Sequence, residues 1–326
     1  MLTRPADLQD LDVIEALRTG WALEPVAVEY SAVGFGSHHW RVVDDAGRRW
    51  FVSVDDLEAR RRSADDSPDD AYERLREALL TASAVHDGGA AFVVAPAKTI
   101  DGDVVRRIRG QYAAALYPFV DGHIHDFGDT FPEAERDQVL RLIGALHASP
   151  AVLWGTAHVE DFALPQRHEI AHALDELSAP WETGPYGQRA RSWFAVRANR
   201  IEHMLSEHDL LAEQARQRPD RMVLTHGEPH PGNLIETTNG WLLVDWDTAL
   251  VAPPERDLWH LRGSDTSTFD AYTSVVDHDV LPAMLDLYRL AWELDDIASL
   301  AARFHRAHDD TADARHEWAD MQHRSL

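Results

Sequence analysis

The sequence contains no cysteine and only one lysine, Lys98, among its 326 residues. The absence of cysteine excludes disulfide bonds, thiol catalysis and cysteine-ligated zinc. No apolar run reaches the length that a membrane-spanning helix needs, and the first residues lack the hydrophobic segment of a secretion signal. We therefore expect a cytoplasmic protein in which arginine supplies nearly all of the positive charge.

Positive charge is scarce overall. The chain has 56 acidic residues against 31 basic ones, and its formal net charge is −25. Nucleic acids and anionic membranes bind proteins through clustered Lys and Arg, so neither is an expected partner. The charge is compatible with a cationic substrate, although an acidic surface that only keeps a protein in solution has the same composition.

The first 120 residues alternate short apolar runs with turn residues, which is typical of an antiparallel sheet. Helices are predicted at 9–20 and 71–85, the second stopped by Gly88-Gly89. Candidate strands lie at 26–30, 40–43, 50–54, 92–96, 104–108 and 113–120, with a hairpin between 92–96 and 104–108 that turns at Asp101-Gly102. From these six candidate runs we predict a five-stranded sheet with one helix inserted after the third strand.

The remainder of the chain is mainly helical by its apolar periodicity. Helices are predicted at 133–148, 166–178, 186–215, 269–277, 280–306 and 309–324. No internal repeat or low-complexity linker separates the two parts, so a short hinge is expected to join them. We place an N-terminal lobe at 1–116, the hinge at 117–122 and a helical C-terminal lobe at 123–326.

One segment combines the residue types that phosphoryl transfer requires. His226 is followed two residues later by Glu228 and seven residues later by Asn233. Asp245 comes next, after a second apolar run. Phosphoryl transfer needs oxygen ligands for Mg²⁺ and one carboxylate to orient the attacking hydroxyl. Each piece alone is more typical of an ordinary turn or strand end, but their order and apolar flanks indicate a kinase-type site.

Together with this segment, further features resemble the aminoglycoside phosphotransferase-like enzymes, whose fold is that of the protein kinases. They are the Gly34–Ser37 loop, the inserted helix, Leu146-His147 at a helix end, and the run from Ala252 to Leu258. The hinge wording Leu-Tyr-Pro-Phe-Val-Asp-Gly and the run Asp-Trp-Asp-Thr-Ala look most similar to spectinomycin phosphotransferase-like proteins. The resemblance implies an α+β, two-lobed, protein-kinase-like fold.

The resemblance also implies roles for single residues in the catalytic region. Glu228 is implied to be the base or hydroxyl-orienting acid, and Asn233 and Asp245 the Mg²⁺ ligands. His226 and Asp257 are implied to support the loop structurally. Asp247 is either a secondary contact to the metal or a strand-end residue.

The nucleotide, ATP or GTP, is implied to lie between the lobes. Gly34, Gly36 and Ser37 would cover its phosphates, because backbone N–H groups approach phosphate oxygens closely where no Cβ intervenes. The backbone of Tyr117, Phe119 and Val120 would contact the purine. The loop lacks the third glycine of the kinase pattern, so a plain hairpin turn is the alternative interpretation.

Two positions depart from the kinase pattern. Ser53 stands where the third strand carries a phosphate-binding Lys, and Lys98 lies on a different hairpin, while the helix acids Glu73 and Glu77 lack an obvious cationic partner. Arg60, Arg106, Arg107, His38 and His39 are the alternative sources of positive charge. Glu228 replaces the usual Asp, with a similar reference pKa and one more methylene of reach.

The acceptor is expected on the C-lobe side of Glu228. Candidate acceptor contacts are Asp161, Glu293 and Asp296, among further helical acids at Glu169, Glu182 and Asp295. Clustered carboxylates suit an amino sugar or another cation, although amphipathic helices expose the same residues to solvent. The tryptophans Trp154, Trp181, Trp193 and Trp292 either wall a pocket or, as we expect for most of them, fill the core.

Three hypotheses for the function remain open. The first is a small-molecule O-phosphotransferase that uses Mg²⁺ with ATP or GTP and acts on an aminoglycoside-like or other polar acceptor. The second is a nucleotide-binding pseudokinase impaired by Ser53 and Glu228. The third is an unrelated helical binding protein in which the motif occurs by chance. The sequence does not determine the acceptor or the oligomeric state.

Overall fold

The structure is a computed structural model that describes residues 1–155, 157–262 and 268–323. Its N-terminal part contains α1 (Asp10–Trp21), β1 (Pro25–Ser31), β2 (Ser37–Asp44), β3 (Arg49–Asp56), α2 (Pro68–Asp87), β4 (Arg106–Ile108) and β5 (Tyr112–Pro118). Then follow β6 (His123–Ile124), α3 (Glu133–His147), α4 (Arg167–Asp175), α5 (Gly187–Arg216), β7 (Val223–Thr225), β8 (Leu234–Thr237), β9 (Gly240–Leu243), β10 (Leu250–Ala252), α6 (Glu255–Leu258), α7 (Asp270–Thr273), α8 (Pro282–His305) and α9 (Ala312–His323).

The N-terminal sheet confirms the predicted architecture. Its five antiparallel strands run in the order β1-β2-β3-β5-β4, with α2 inserted after β3. Ser67 begins α2 with a reciprocal capping box to Asp70, and Pro68 occupies the first turn, where its missing N–H costs nothing. One face of the sheet packs against α1, where Val52 and Trp40 meet Leu17 in a buried cluster.

One predicted strand is wrong. Residues 92–96 make no hairpin with 104–108 and cross instead to the other lobe, where Val94 N–H donates to the Leu243 carbonyl and Leu243 N–H donates to the Phe92 carbonyl. The apolar run therefore forms these backbone hydrogen bonds with β9 rather than with the N-terminal sheet. The turn at Asp101-Gly102 does form, with Thr99 N–H bonded to the Asp103 carbonyl over 2.7 Å.

The helical part agrees with most predicted ranges. The exception is 269–277, of which only α7 is helical, because the β-branched run at Thr273, Val275 and Val276 lowers helix propensity. The helix predicted at 309–324 begins at Ala312, where Thr311 Oγ1 accepts from Ala314 N–H, and its last predicted residue lies outside the described residues. Among the helices described, none is both long and apolar enough to cross a bilayer.

Two short β-ribbons in the C-terminal part position the motif residues. β7 pairs with β10, and β8 pairs with β9 and with β6 directly after the hinge region. The segment from 226 to 233 leaves β7 and returns into β8, while residues 245–247 follow β9. Both ribbons pack on the buried side of α3 through Leu224, Leu234 and Leu243. Tyr117, at the end of β5, faces the same region from the sheet.

Candidate active site

Asp257 anchors the segment that follows β7. This carboxylate is fully buried and accepts hydrogen bonds from the backbone N–H groups of His226 (3.0 Å) and Gly227 (2.6 Å). His147 Nε2 lies 3.0 Å from the same carboxylate, and its Nδ1 lies 2.9 Å from the Tyr272 hydroxyl. Burial alone would raise the pKa of Asp257, but the hydrogen bond from His147 holds it below its ordinary value.

His226 uses both ring nitrogens within the loop. Its Nε2 lies 2.9 Å from the Val244 carbonyl, so it carries the proton and donates. Nδ1 is then the acceptor for Glu228 N–H at 3.1 Å. Burial lowers the pKa of His226, which keeps the ring in this neutral form. The imidazole therefore ties Glu228 to the strand end before Asp245.

Asn233 links the two motif segments. Its side-chain Nδ2 donates to the Glu228 backbone carbonyl over 3.0 Å, and its backbone carbonyl accepts Val244 N–H over 3.0 Å. The side-chain nitrogen is thereby engaged, so the amide oxygen is the atom that can bind a metal. Asp245 follows with a φ of +66°, an unusual value for a non-glycine residue. Such strain is typical of residues in binding and catalytic sites.

The carboxylates of this region concentrate negative charge. Asp245 lies in the cleft with part of its surface open to water, and burial within the surrounding protein raises its pKa. Asp247 and Glu228 raise the pKa further by repulsion, and the positive charge of Arg60 opposes them. A divalent cation would relieve this repulsion. The Asp245 carboxylate and the Asn233 amide oxygen are also the kind of donor that Mg²⁺ prefers, so the residues fit that ion.

Among the candidate cations, Arg60 lies against the third strand. Its guanidinium lies 2.6 Å from Asp55, forms an ion pair with Asp247 across the cleft and donates to Ser37 Oγ over 3.2 Å. Burial opposes its charge, but Asp247 and Asp55 more than offset that effect and raise the pKa of Arg60. Asp55 is two residues after Ser53 and so shares its face of β3. Arg60 thus reaches the side of the strand where the missing Lys would stand.

The other candidate cations are engaged elsewhere. Lys98 pairs with Asp87, Arg106 with Asp101, and Arg107 with Asp69. His38 contacts the Tyr30 hydroxyl and His39 the Val33 carbonyl. Glu73 and Glu77, the acids of the inserted helix, lie near Arg76 and His158. The sequence left Arg60 as one of several alternatives, because its partners Ser37 and Asp247 are distant in the chain.

The Gly34–Ser37 loop joins β1 to β2 and adopts left-handed backbone at Gly34 (φ 68°) and Gly36 (φ 82°). A Cβ at Gly36 would meet nothing within 4 Å, so the loop leaves open space beside it. Ser37 Oγ donates to Asp55 Oδ1 over 2.6 Å. The serine hydroxyl is therefore part of the Arg60 network.

The predicted purine contacts lie at the end of β5. The Phe119 N–H already donates to the Arg49 carbonyl over 3.1 Å, and the Arg49 guanidinium lies over the Phe119 ring. Phe119 is thus engaged by the sheet. Tyr117 is surrounded by protein and faces the carboxylate region, and burial followed by the charge of Asp245 raises its pKa. Val120 is half-buried next to the hinge.

Aromatic rings line the C-lobe side of Glu228. Its carboxylate lies 3.8 Å from His230 Nε2, and the His260 ring packs edge-on against Trp292 at 5.0 Å. Burial lowers the pKa of His260 to about 3, so its neutral ring donates from Nε2 to the Gly227 carbonyl over 3.2 Å. Phe127 and Trp259 complete the cluster. Trp292 lies here, whereas Trp181 and Trp193 are buried core residues as expected.

The acceptor candidates differ in their surroundings. Asp161 is exposed at 3.9 Å from Arg62, and Glu293 forms a surface ion pair with Arg289. Asp296 interacts with Asp295, which was not among the first candidates. Burial, Asp296 and Glu228 raise the pKa of Asp295 to about 7. The helical spacing of α8 places several acids on that helix. It does not indicate that Asp295, rather than one of its neighbours, lies near Glu228.

Residues 29–302 match the sequence model of the phosphotransferase enzyme family. Protein StrN of Streptomyces griseus is 29% identical over 245 residues, 71% of each chain. The crystal structure of spectinomycin phosphotransferase APH(9)-Ia with ADP and spectinomycin is similar with a TM-score of 0.72 at 15% identity, covering 97% of this chain and 94% of that one. Amicoumacin kinase hAmiN in complex with AMP-PNP, Ca²⁺ and Ami is similar with a TM-score of 0.55 at 13% identity, over 97% and 92%. The predicted kinase-like fold is confirmed.

Proposed function

Because the chain belongs to the phosphotransferase enzyme family, we propose that it transfers the γ-phosphate of ATP or GTP to a hydroxyl group of a small, polar and cationic acceptor. The observation that carries the proposal is the connection of Glu228, Asn233 and Asp245 through one hydrogen-bonded loop. The complexes of related folds with ADP or with AMP-PNP and Ca²⁺ support a nucleotide as donor.

In this proposal each residue has a distinct task. Glu228, whose backbone N–H donates to His226 Nδ1, orients the acceptor hydroxyl toward the phosphate and takes up its proton. Asn233 and Asp245 hold Mg²⁺, which would neutralise charge on the phosphate oxygens. Arg60 provides a fixed cation beside those oxygens in place of the Lys that Ser53 replaces. The backbone of Gly34–Ser37 covers the phosphates.

The acceptor would bind between the aromatic cluster and the acids of α8. Trp292 and His260 offer flat apolar surface, Asp295 offers a carboxyl group near Glu228, and Asp296 lies near Asp295. An alcohol that also carries an ammonium group suits such a pocket. The spectinomycin bound by the related phosphotransferase supports the same class of acceptor.

The proposal is tested by measuring nucleotide consumption with Mg²⁺ against a panel of aminocyclitols, aminoglycosides and amino alcohols. Turnover by the wild type should fall ~10²–10⁴-fold in Glu228→Ala, the range for loss of a general base, while Mg-nucleotide affinity stays nearly unchanged. Glu236→Ala, an exposed acid on β8, is the matched control. In Asp245→Asn, Mg-nucleotide should no longer raise the melting temperature.

A pseudokinase is the second candidate, favoured by Ser53 at the lysine position. It predicts Mg-nucleotide stabilisation that depends on Asp245 without turnover of any acceptor. Normal turnover by Glu228→Ala would contradict the assigned mechanism.

A further inference from the structure

Three potential metal ligands meet outside the catalytic cleft, at the ends of α4 and α8. His172 Nε2 lies 3.3 Å from Glu176 Oε1, and His305 Nε2 lies 3.2 Å from Glu176 Oε2. All three ligand atoms lie within 4.8 Å of one another. In the part of the chain that the structure describes, this is the one trio of His, Cys, Asp or Glu side chains found at such spacing.

The local structure explains why the three side chains converge. His172 and Glu176 are four residues apart, so they project from the same face at the end of α4. Glu176 N–H donates to the His172 carbonyl over 3.1 Å, which continues the helical turn. His305 is the last residue of α8, and its ring packs edge-on against Trp181 at 4.6 Å. The shared core beneath, which includes Ile170 and Ala301, holds the two helices together.

The donor set fits a particular class of ion. Two imidazoles and one carboxylate are ligands typical of Zn²⁺, whereas Mg²⁺ and Ca²⁺ prefer oxygen alone. Bonds of ~2.1 Å in tetrahedral geometry require ligand atoms roughly 3.4 Å apart, close to the distances from His172 Nε2 to Glu176 Oε1 and from His305 Nε2 to Glu176 Oε2. The rings of His172 and His305 already pack edge-on with centroids 4.5 Å apart, and the His172 side chain is 56% exposed, so small side-chain rotations can close the remaining separation.

The location also favours a cation. α4 ends at Asp175 and α8 ends at His305, so the C-terminal ends of two helices meet at this point. Their terminal carbonyls carry partial negative charge, which stabilises a positive ion nearby. We propose that His172, Glu176 and His305 bind one borderline transition-metal ion, Zn²⁺ or its chemical neighbour Co²⁺, which fastens the end of α4 to the end of α8. The site is independent of the proposed phosphotransferase reaction.

The test uses Co²⁺, because its absorption reports tetrahedral coordination and Zn²⁺ is spectroscopically silent. Full-length protein stripped with a chelator should bind one Co²⁺ per chain at this site, and Zn²⁺ should displace it while excess Mg²⁺ does not. Glu176→Gln and His305→Ala should each weaken binding at least ~10-fold, the lower bound for losing even a residue that supports a metal ligand. Glu176→Gln keeps the size of the side chain and so preserves folding.

Two controls locate the ion. His316→Ala removes a histidine from a similar pair, in which His316 Nε2 lies 3.1 Å from Asp320 on α9 and no third ligand is found among the described residues. Asp245→Asn removes a charge from the cleft. Both should retain tetrahedral Co²⁺ binding, and Zn²⁺ should raise the melting temperature of both but not of Glu176→Gln. Equal Co²⁺ binding by Glu176→Gln and the wild type would overturn the proposal, as would wild-type binding only at millimolar concentration, which indicates an adventitious ion.

Discussion

At the scale of single residues, we propose that Arg60 takes the place of the lysine that the third strand lacks. The kinase pattern places a cation on the third strand, but here the cation follows the strand and reaches back to Asp55. The guanidinium also contacts Asp247 in the opposite lobe. Arginine suits this position because its fork binds two partners at once and stays charged when buried. The same fork can bind phosphate oxygens in a bidentate manner.

Arg60→Ala should lower turnover by about 100-fold, the effect expected from losing a fixed cation beside the transferring phosphate. Arg60→Lys should recover part of this loss, since it restores the charge without the fork. Steady-state kinetics and nucleotide titration measure both effects. Arg107→Ala is the matched control, because Arg107 pairs with Asp69 at the surface. Equal kinetics in Arg60→Ala and the control would exclude Arg60 from phosphate binding.

Asp295 should make acceptor binding depend on pH. Its pKa of about 7 means that the carboxyl is largely neutral at pH 6 and largely charged at pH 8. The KM of a cationic acceptor should therefore fall as the pH rises through about 7. Asp295→Asn should show a higher KM without that step. A step that persists in Asp295→Asn would assign the titration to another group.

At the scale of elements, the β1–β2 hairpin carries the loop proposed to cover the phosphates. Its two glycines have left-handed backbone, which a β-branched residue adopts only with strain. The neighbouring β2–β3 turn contains Gly47 with a similar φ of 75° and equally open space. The sheet therefore contains its own control for the effect of strain alone.

Gly36→Val should weaken nucleotide binding, because a branched side chain would occupy the open space beside the loop and alter its backbone. Gly47→Val should cost similar stability without changing nucleotide affinity, since its turn lies at the other end of β2. Thermal melting separates the strain from the binding effect, and calorimetric titration measures affinity. If both variants bind nucleotide like the wild type, the loop is an ordinary hairpin turn.

At the scale of the whole molecule, Asp257 connects elements that are distant in sequence. Its buried carboxylate joins α6 to the segment after β7 and, through His147 and Tyr272, to α3 and α7. These bonds hold the catalytic segment against the helical core. The Asp257 carboxylate is thus the single acceptor for three donors, namely the backbone N–H groups of His226 and Gly227 and the His147 ring.

Asp257→Ala should lower the free energy of unfolding by at least about 3 kcal/mol, because it leaves three buried donors without their acceptor, at ~1–3 kcal/mol each. The exposed Asp220→Ala should change it by less than about 0.5 kcal/mol. The folded-state pKa of Asp257 lies below its ordinary value of 3.8, so its contribution is complete at neutral pH and is lost as the pH falls through that lower pKa. Denaturant unfolding at several pH values checks both statements.

The sheet and the long helices were predictable because local periodicity and turn residues indicate them directly. The run at 92–96 was not, since its apolar pattern fits a strand equally well whether its partner is β4 or β9. The length of α7 was also not predictable from periodicity. The apolar spacing extends to residue 277, whereas β-branched residues end the helix at Thr273. In the site, Glu228, Asn233 and Asp245 were found by spacing, while their roles remain predictions.

The sequence by itself determined the kinase-like architecture, the order of the motif residues and the absence of lysine from the third strand. These features depend on residues close together in the chain, where spacing carries the information. Only the tertiary structure decided that Arg60 meets Asp55 and Asp247 and that His172, Glu176 and His305 converge. Arg60 meets Asp247 across 187 positions, and no local pattern specifies which of many arginines and acids will meet once the two lobes pack together.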